Sequence, residues 1–430
     1  MESIGLPIFQ CGPSASYAYD YDDGPWLHWR GNPKTSITIN WYTKEKKETK
    51  IEMGDQNSES SFKTYVKKNS KGDVERVHMH HITLQNLEPD NTYYYRVVDF
   101  GHDAEIHSFT TAPEEHKPFN FVVLGDTQNG GGLGQPNWAY PILIKQIMKH
   151  KNNIDLYMHV GDFTDQGNDL RSWHAMWDFS KHFLPEIPLH IAVGNHDGGT
   201  HYLKDPDMKK YPDEGANFDY FLDYKYGHPS NSEEITPFRG RYFSFRYSNC
   251  HFLFLDTKER KKSEPKSGQW EFIRRELEKV PDDIWKIVFI HRPQAYIKDE
   301  GKDGYGYVHN YYAEYIVPLL DKYGVDIVFQ GHSHYYLNLD WKFSKSSKLW
   351  NCDLSEPPRG ENIHFVTTGA GGNELRNNVP LKKDDVDLDG FYHRENSSQY
   401  LFVQVIGDQI AVESRYAQDD SVMHKRVYKK

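Results

Sequence analysis

The sequence predicts an α/β domain preceded by an all-β sandwich, and three observations carry that prediction. From residue 119 onward, short apolar runs alternate with stretches of helical spacing. Between about 20 and 113 there are only short alternating segments separated by turn residues. Five of the apolar runs after residue 119 also end in side chains that bind hard or borderline metal ions.

At 430 residues the chain exceeds what one core ordinarily organises, so two domains are expected, 1–113 and 119–430. The polar stretch 112–118 reads as the linker. With 37% hydrophobic and 15% aromatic residues, the composition is that of a folded protein. A net charge of −11 without a dense Lys/Arg block argues against a broad nucleic-acid footprint. The short KERKK stretch at 258–262 reads as a solvated loop. No apolar stretch approaches membrane-spanning length. Three scattered cysteines, Cys11, Cys250 and Cys352, imply neither a disulfide framework nor a thiolate metal site. The N-terminus lacks the basic start and long apolar core of a signal peptide, which suggests a cytoplasmic protein unless a leader was removed.

In the N-terminal region, SITINWYT sets Ile37, Ile39 and Trp41 against polar neighbours, the period of a strand. HHITLQNL, a Pro-Asp-Asn turn at 89–91, TYYYRVVD and IHSFTTAP follow, a spacing that suits an immunoglobulin-like sandwich. Trp41 is the expected core residue, and Tyr95 the tyrosine near a strand start. His78 and His80, two apart on one strand, read as a surface pair. In the second region, Leu170, Trp173 and Trp177 recur at helical spacing. So do Trp270, Ile273, Leu277 and Val280, and again Ile316, Leu319 and Tyr323. Alternation of strand and helix indicates βαβ units around a largely parallel core. The long polar and aromatic stretch 198–240 is a candidate lid or a self-packed excursion. The runs IHFVTTGAGG, YLFVQVIG and QIAVESRY, after His334, should complete a second sheet.

The five runs read FVVLGD to Asp126, LYMHVGD to Asp162, HIAVGNHD around Asn195 and His196, IVFIHR at His291, and IVFQGHSH at His332 and His334. One Gly-Asp after a strand is ordinarily a turn. Five ends carrying Asp, Asn and His together are hard to explain as turns. In open α/β sheets the ligand crevice lies beyond the carboxyl ends of the strands, where these residues fall. Oxygen and imidazole donors without thiolate suit Zn, Mn or Fe. The pattern reads as a two-metal hydrolytic centre. His159 and His190, inside apolar strands, read instead as core histidines.

GDTQ, GDFTDQG, GNHD, the lone HR and GHSH, in that order and strand context, resemble the calcineurin-like metallophosphoesterase superfamily over roughly 119–415. The WYT strand and LEPDNTYYYRV segment are similar to the fibronectin-like domain of purple acid phosphatases. YFSFRYSNCHFLFLDT, HRPQAY and VDIVFQGHSHYY are also similar to that branch. The resemblance implies a four-layer α/β/β/α sandwich and two metal ions, Fe, Mn or Zn. It implies Asp162 as the bridge, Asp126 and His334 on the first metal, and Asn195, His291 and His332 on the second. It further implies a small phosphorylated substrate, attack by a metal-bridging hydroxide, and His196 at the leaving-group oxygen. Asp197 would hold the His196 imidazole. Arg292 and His201 are candidate substrate contacts, and the NGGGLG run at 129–134 is a weaker one. The branch's location also points to an extracytoplasmic mature form.

Two positions depart from the resemblance. Where most of the superfamily has D-x-H, residue 128 is Gln, able to coordinate only through a neutral amide oxygen. Where purple acid phosphatases supply a tyrosinate from GDxxY, residue 165 is Asp, as in the wider superfamily, where it supports the loop. The first metal is therefore expected to bind more weakly, and no tyrosinate colour is expected. The main expectation is a phosphomonoesterase; a phosphodiesterase on the same centre and a degenerate binding module are the alternatives.

Overall fold

The structure is a computed structural model. It describes residues 22–46, 48–67, 73–74, 77–98, 105–114, 116–128, 139–167, 170–197, 241–257, 267–293, 295–299, 305–309, 313–342, 362–372, 392–395 and 397–430. The candidate lid 198–240, His201 and the glycine run at 129–134 lie outside these residues.

Two four-stranded sheets form the N-terminal sandwich. One orders Asp23–His28, Ser36–Thr43, Val77–Gln85 and Asp73–Val74; the other orders Lys63–Lys67, Thr49–Gly54, Thr92–Val98 and His107–Thr110. The strand Ser36–Thr43 coincides with SITINWYT, but all eight of its residues are buried. The alternation leaves a polar face, Ser36, Thr38, Asn40 and Tyr42, on the other side of the strand. That face is covered by the second domain: the Tyr42 hydroxyl lies 3.1 Å from His174 Nδ1. Trp26, on the neighbouring strand, stacks on Trp177 at 4.4 Å between centroids. Tyr95 is fully buried and donates across the same seam to Pro185 O at 2.7 Å. His80 is not a surface residue either. It is buried, stacked on Trp41, and bonded to Thr43 Oγ1 at 2.6 Å.

The second domain stacks two mixed sheets. The six-stranded sheet orders Leu189–Ile191, Leu156–His159, Phe119–Leu124, Gln399–Ile406, Gln409–Tyr416 and Val422–Lys429. The seven-stranded sheet orders Phe243–Tyr247, Cys250–Leu255, Trp285–Ile290, Ile327–Gln330, Asn362–Thr368, Tyr336–Lys342 and Tyr392–Glu395. The strands that end in candidate ligands pair in parallel within each sheet. Between the sheets the rings of Phe121, Phe252, Phe289 and Phe329 interlock edge to face, the geometry their quadrupoles prefer. Helices Ala139–Met148 and Leu170–Ser180 pack beside the first sheet, with Tyr140, Leu143, Trp173 and Trp177 buried. Helices Gly268–Glu278 and Ala313–Lys322 cover the outer face of the second, joining Trp270, Ile273 and Leu319 to Leu253, Val288 and Ile290. The result is the four-layer α/β/β/α arrangement. Among the described residues, no helix is long and apolar enough to cross a membrane.

One topological expectation needs correction. Of the three late runs, only Asn362–Thr368 enters the second sheet. Gln399–Ile406 pairs antiparallel with Phe119–Leu124, matching Leu401 to Val123 and Val403 to Phe121. Gln409–Tyr416 and Val422–Lys429 then extend that first sheet outward.

Candidate metal centre

The carboxyl ends of both sheets meet at one edge, and the strand-end residues turn there sharply. Asp126, Asp162 and His332 all adopt the left-handed conformation, with φ of 55°, 54° and 65°. Non-glycine residues seldom sit there, and such strain clusters at functional sites. Here it swings each side chain off the strand direction into the cleft between the sheets. Backbone bonds tie the turns together: Asp126 N donates to Gly161 O, Gln128 N to Asp162 O, and Gly331 N to His291 O. Two glycines permit the close approach. A Cβ on Gly194 would lie 2.2 Å from Asp162 Oδ1, and one on Gly331 would lie 2.7 Å from Asp126 Oδ2.

Donor atoms of Asp162, His291 and His332 lie within 4.8 Å of one another. His291 Nδ1 is 2.9 Å from the carbonyl of Val160, an acceptor only, so that nitrogen carries the ring proton. Its Nε2 then faces Asn195 Oδ1 at 3.0 Å and Asp162 Oδ2 at 3.2 Å. Once it gives up its proton, Nε2 offers a lone pair beside two acceptor oxygens, and the three converge on one buried point as a donor set for a cation. The His291 and His332 rings meet edge to face at 5.2 Å.

On the other side, Asp126 Oδ2 accepts the His332 amide at 2.7 Å, which turns Oδ1 toward the cleft. Oδ1 is buried, receives no hydrogen bond, and lies 3.3 Å from His334 Nε2. An orphaned carboxylate oxygen costs free energy unless something charged meets it. The residues present therefore fit a cation on this side as well. Gln128 is buried beside them with its Nε2 donating to Asp162 Oδ2 at 3.2 Å. Rotation of the amide about its last torsion presents the oxygen in place of the nitrogen.

Charge explains the electrostatics. Burial alone would lower His291, but Asp162 and Asp126 outweigh it and take its pKa up to about 9. Burial raises Asp162, while His291 and the His196 side chain and amide hold it well below the usual carboxylate range. Asp197 is pushed up to about 6 by burial and by Asp162, against the backbone N–H groups that it accepts.

His196 lies next to the bridge position: its amide donates to Asp162 Oδ1 at 2.7 Å, and its Nε2 is 3.9 Å from Asp162 Oδ2. Asp197 does not hold its imidazole. The Asp197 carboxylate accepts from the amides of Asp162, Gly194 and Thr164 at 2.8–2.9 Å, and so clamps the GDFTD turn to the GNHD turn. The imidazole is held by residue 165 instead. His196 Nδ1 is 2.9 Å from the Asp165 carbonyl and 3.5 Å from its carboxylate. Sequence adjacency favoured Asp197, but an Asp directly after the histidine points to the opposite side of the turn.

Arg292 is partly buried, and its amide donates to Thr257 Oγ1 at 2.8 Å. That contact exposes a sixth run which the sequence reading passed over. Cys250–Leu255 is wholly buried and ends in Asp256 and Thr257, both buried at the same edge. The signal was present, an apolar run closed by Asp, but without a preceding glycine. A seventh run also reaches the edge: a Cβ on Gly369, after Asn362–Thr368, would lie 3.0 Å from Asp126 Oδ2.

Comparison with known proteins agrees with this geometry. Residues 119–336 match the calcineurin-like phosphoesterase family, and 23–111 match the purple acid phosphatase N-terminal domain. Purple acid phosphatase 18 of Arabidopsis thaliana is 25% identical over 346 residues, 80% of this chain and 68% of that protein. The purple acid phosphatase PPD1 from yellow lupin seeds superposes with a TM-score of 0.73 at 18% identity, covering 95% of this chain and 74% of its own. The structure of PhoD follows at a TM-score of 0.68 and 14% identity, covering 97% and 92%. At such identities the two structures speak for the fold alone. The chain belongs to the calcineurin-like phosphoesterase family, a family of metal-dependent phosphoric ester hydrolases, and carries a purple acid phosphatase N-terminal domain ahead of it.

Proposed function

We propose that this chain hydrolyses phosphomonoesters at a centre for two cations. The observation that carries the reading is the convergence of Asp162, His291 and His332 donor atoms within 4.8 Å, beside the unsatisfied Asp126 oxygen. Asp162 would serve both cations, Asp126, His334 and Gln128 the first, and Asn195, His291 and His332 the second. When bound, a pair of Zn, Mn or Fe ions neutralises phosphate charge and makes hydroxide available near neutral pH.

The protein's own contribution is placement. Asp162 is immobilised by the His196 amide on one oxygen, so its other oxygen keeps a fixed direction toward His291. The Asp165 carbonyl commits His196 Nδ1, leaving Nε2 turned toward the bridge carboxylate. From there a protonated Nε2 donates to the departing alkoxide oxygen, the step that limits esters with poor leaving groups. Both shells sit on strand ends within a packed double sheet, which holds them without further ordering on substrate binding.

His196→Ala tests the assignment. It should retain metal and slow turnover of alkyl phosphates by about 10²–10⁴-fold, the usual contribution of a general acid. Aryl phosphates with good leaving groups should lose much less. An equal loss across the leaving-group series would reduce His196 to a phosphate-binding group.

A further inference from the structure

Among the described residues, the N-terminal sandwich contributes none of those at the metal centre, yet its contacts run straight to the loop that holds His196. Asp23 Oδ2 accepts the Tyr42 hydroxyl at 2.9 Å and meets His174 Nδ1 at 2.6 Å. Trp26 lies flat on Trp177, with 8° between planes. His174 and Trp177 belong to one helix, Leu170–Ser180, gripped from the sandwich side at both points. The helix's opposite contacts face the active edge. Trp177 and Trp173 pack against Phe163, whose neighbour in sequence is Asp162. Trp173 Nε1 donates to the Gly167 carbonyl at 2.9 Å. The Gly167 amide in turn donates to the His196 carbonyl at 2.9 Å. Gly167 is pressed so close to the GNHD turn that a Cβ would lie 1.6 Å from Asp197 O. No side chain is tolerated there, and the indole N–H holds the Gly167 carbonyl from outside.

We propose that Trp173 is a positioning residue for His196, and that the N-terminal sandwich supports it by anchoring its helix through Asp23 and Trp26. This rests on the reading of His196 as the leaving-group acid. The physical need is angular. His196 is held by the 165–167 segment at both its Nδ1 and its carbonyl, and a displacement of about 1 Å in a proton donor costs up to about 10²-fold. Loss of the indole bond releases the Gly167 carbonyl and loosens the segment that holds His196, while the metal-ligand turns stay pinned by Asp197. The sandwich is therefore part of the catalytic apparatus at one remove.

The test uses the full-length, metal-loaded protein with paired alkyl and nitrophenyl phosphates. Trp173→Phe keeps the ring packing on Phe163 and removes only the N–H donor. Its kcat on alkyl phosphates should fall about tenfold, a fraction of the full general-acid term, with nitrophenyl phosphate and metal content nearly unchanged. In a His196→Ala background, Trp173→Phe should cause no further loss. Asp23→Asn, on the far side of the helix, keeps an oxygen for the Tyr42 hydroxyl and should give a smaller loss with the same leaving-group signature. Equal losses on both substrates, or a Trp173→Phe effect that persists without His196, would make Trp173 merely structural and overturn the proposal. A leaving-group-dependent loss in His196→Ala but none in Trp173→Phe or Asp23→Asn would overturn it while leaving the acid role standing. A flat loss in His196→Ala would remove both.

Discussion

Two sets of buried histidines in this protein behave in opposite ways. At the carboxyl edge, His291 sits beside Asp162 and Asp126, and its pKa rises to about 9 in spite of burial. In the seam between the domains, His190 stacks among Trp29, Phe243 and Phe245, and burial alone takes it down to about 3. His251, on the second sheet, is likewise lowered to about 3 by burial and by Arg246 and Lys286. His28, at the seam, is pushed well down by burial and by Arg30. The side chain is the same and the degree of burial is the same. What differs is the presence of carboxylates, and hence the chemistry. A histidine surrounded by acids in a cleft is poised to exchange its proton for a cation. One surrounded by rings is a neutral packing element that resents charge.

Removing the acid should collapse that difference. Asp162→Ala takes away the one carboxylate placed to serve both cations and leaves His291 with one fewer oxygen to face. We expect turnover to vanish and bound metal to fall to a small residue, read by elemental analysis of the purified variant. Folding should survive, since the Asp197 clamp bonds the backbone amide of residue 162 rather than its side chain. A variant that kept both metals at near-native rate would end the two-cation reading.

How far the site was legible follows from the same physics. Short apolar runs closed by a turn residue are strands whose ends reach one edge, so Asp126, Asp162, Asn195, His291, His332 and His334 could be brought together on paper. The helix Leu170–Ser180 was visible in the spacing of Leu170, Trp173 and Trp177. The misses concern what lies across a turn or across a seam. Whether Asp165 or Asp197 faces His196 depends on how two turns interlock, and that is fixed by backbone amides common to every residue. The Ser36–Thr43 strand carries Thr38 and Asn40 between its apolar residues, and alternation alone does not say what covers them. They are buried, with the Asn40 amide donating to Trp26 O. Which sheet receives the last strands is not written in their alternation, which is equally good for either.

The histidines kept neutral by burial give the contrast a second, smaller consequence. His190 and His251 are neutral when folded, whereas an unfolded histidine titrates near 6.5. Their stabilisation is present above that pH and is lost as the pH falls from about 6.5 toward 3. Each costs at most about 1.4 kcal/mol per pH unit, so the two together remove up to about 4 kcal/mol at pH 5. Urea midpoints of the metal-loaded protein should drop steeply between pH 7 and 5. In His190→Gln, which cannot titrate at that position, the fall in stability should be shallower by up to about 1.4 kcal/mol per pH unit, although the starting stability is lower. Parallel curves for variant and parent would show that His190 carries no such linkage.

The smallest effect is expected at Gln128, where the two sides of the metal centre themselves differ. The second side gathers two imidazoles, His291 and His332, with the Asn195 amide around Asp162, while the first has one imidazole, His334, with Asp126 and the Gln128 amide. Imidazole is a better donor than an amide to Zn or Mn, so the first cation should be the one that a mild chelator removes. We expect the purified protein to hold fewer than two metals per chain and to gain activity on adding Mn or Zn. No visible tyrosinate band should appear, because residue 165 is an Asp turned to His196. Gln128→His should strengthen the first side by about tenfold in affinity, the order of effect seen when one metal-supporting group is changed. The gain should show as a higher chelator concentration at half occupancy, with kcat at saturating metal little altered. If the variant binds no better, Gln128 lies outside the ligand shell and its amide serves only to hold Asp162, the bond seen from its Nε2.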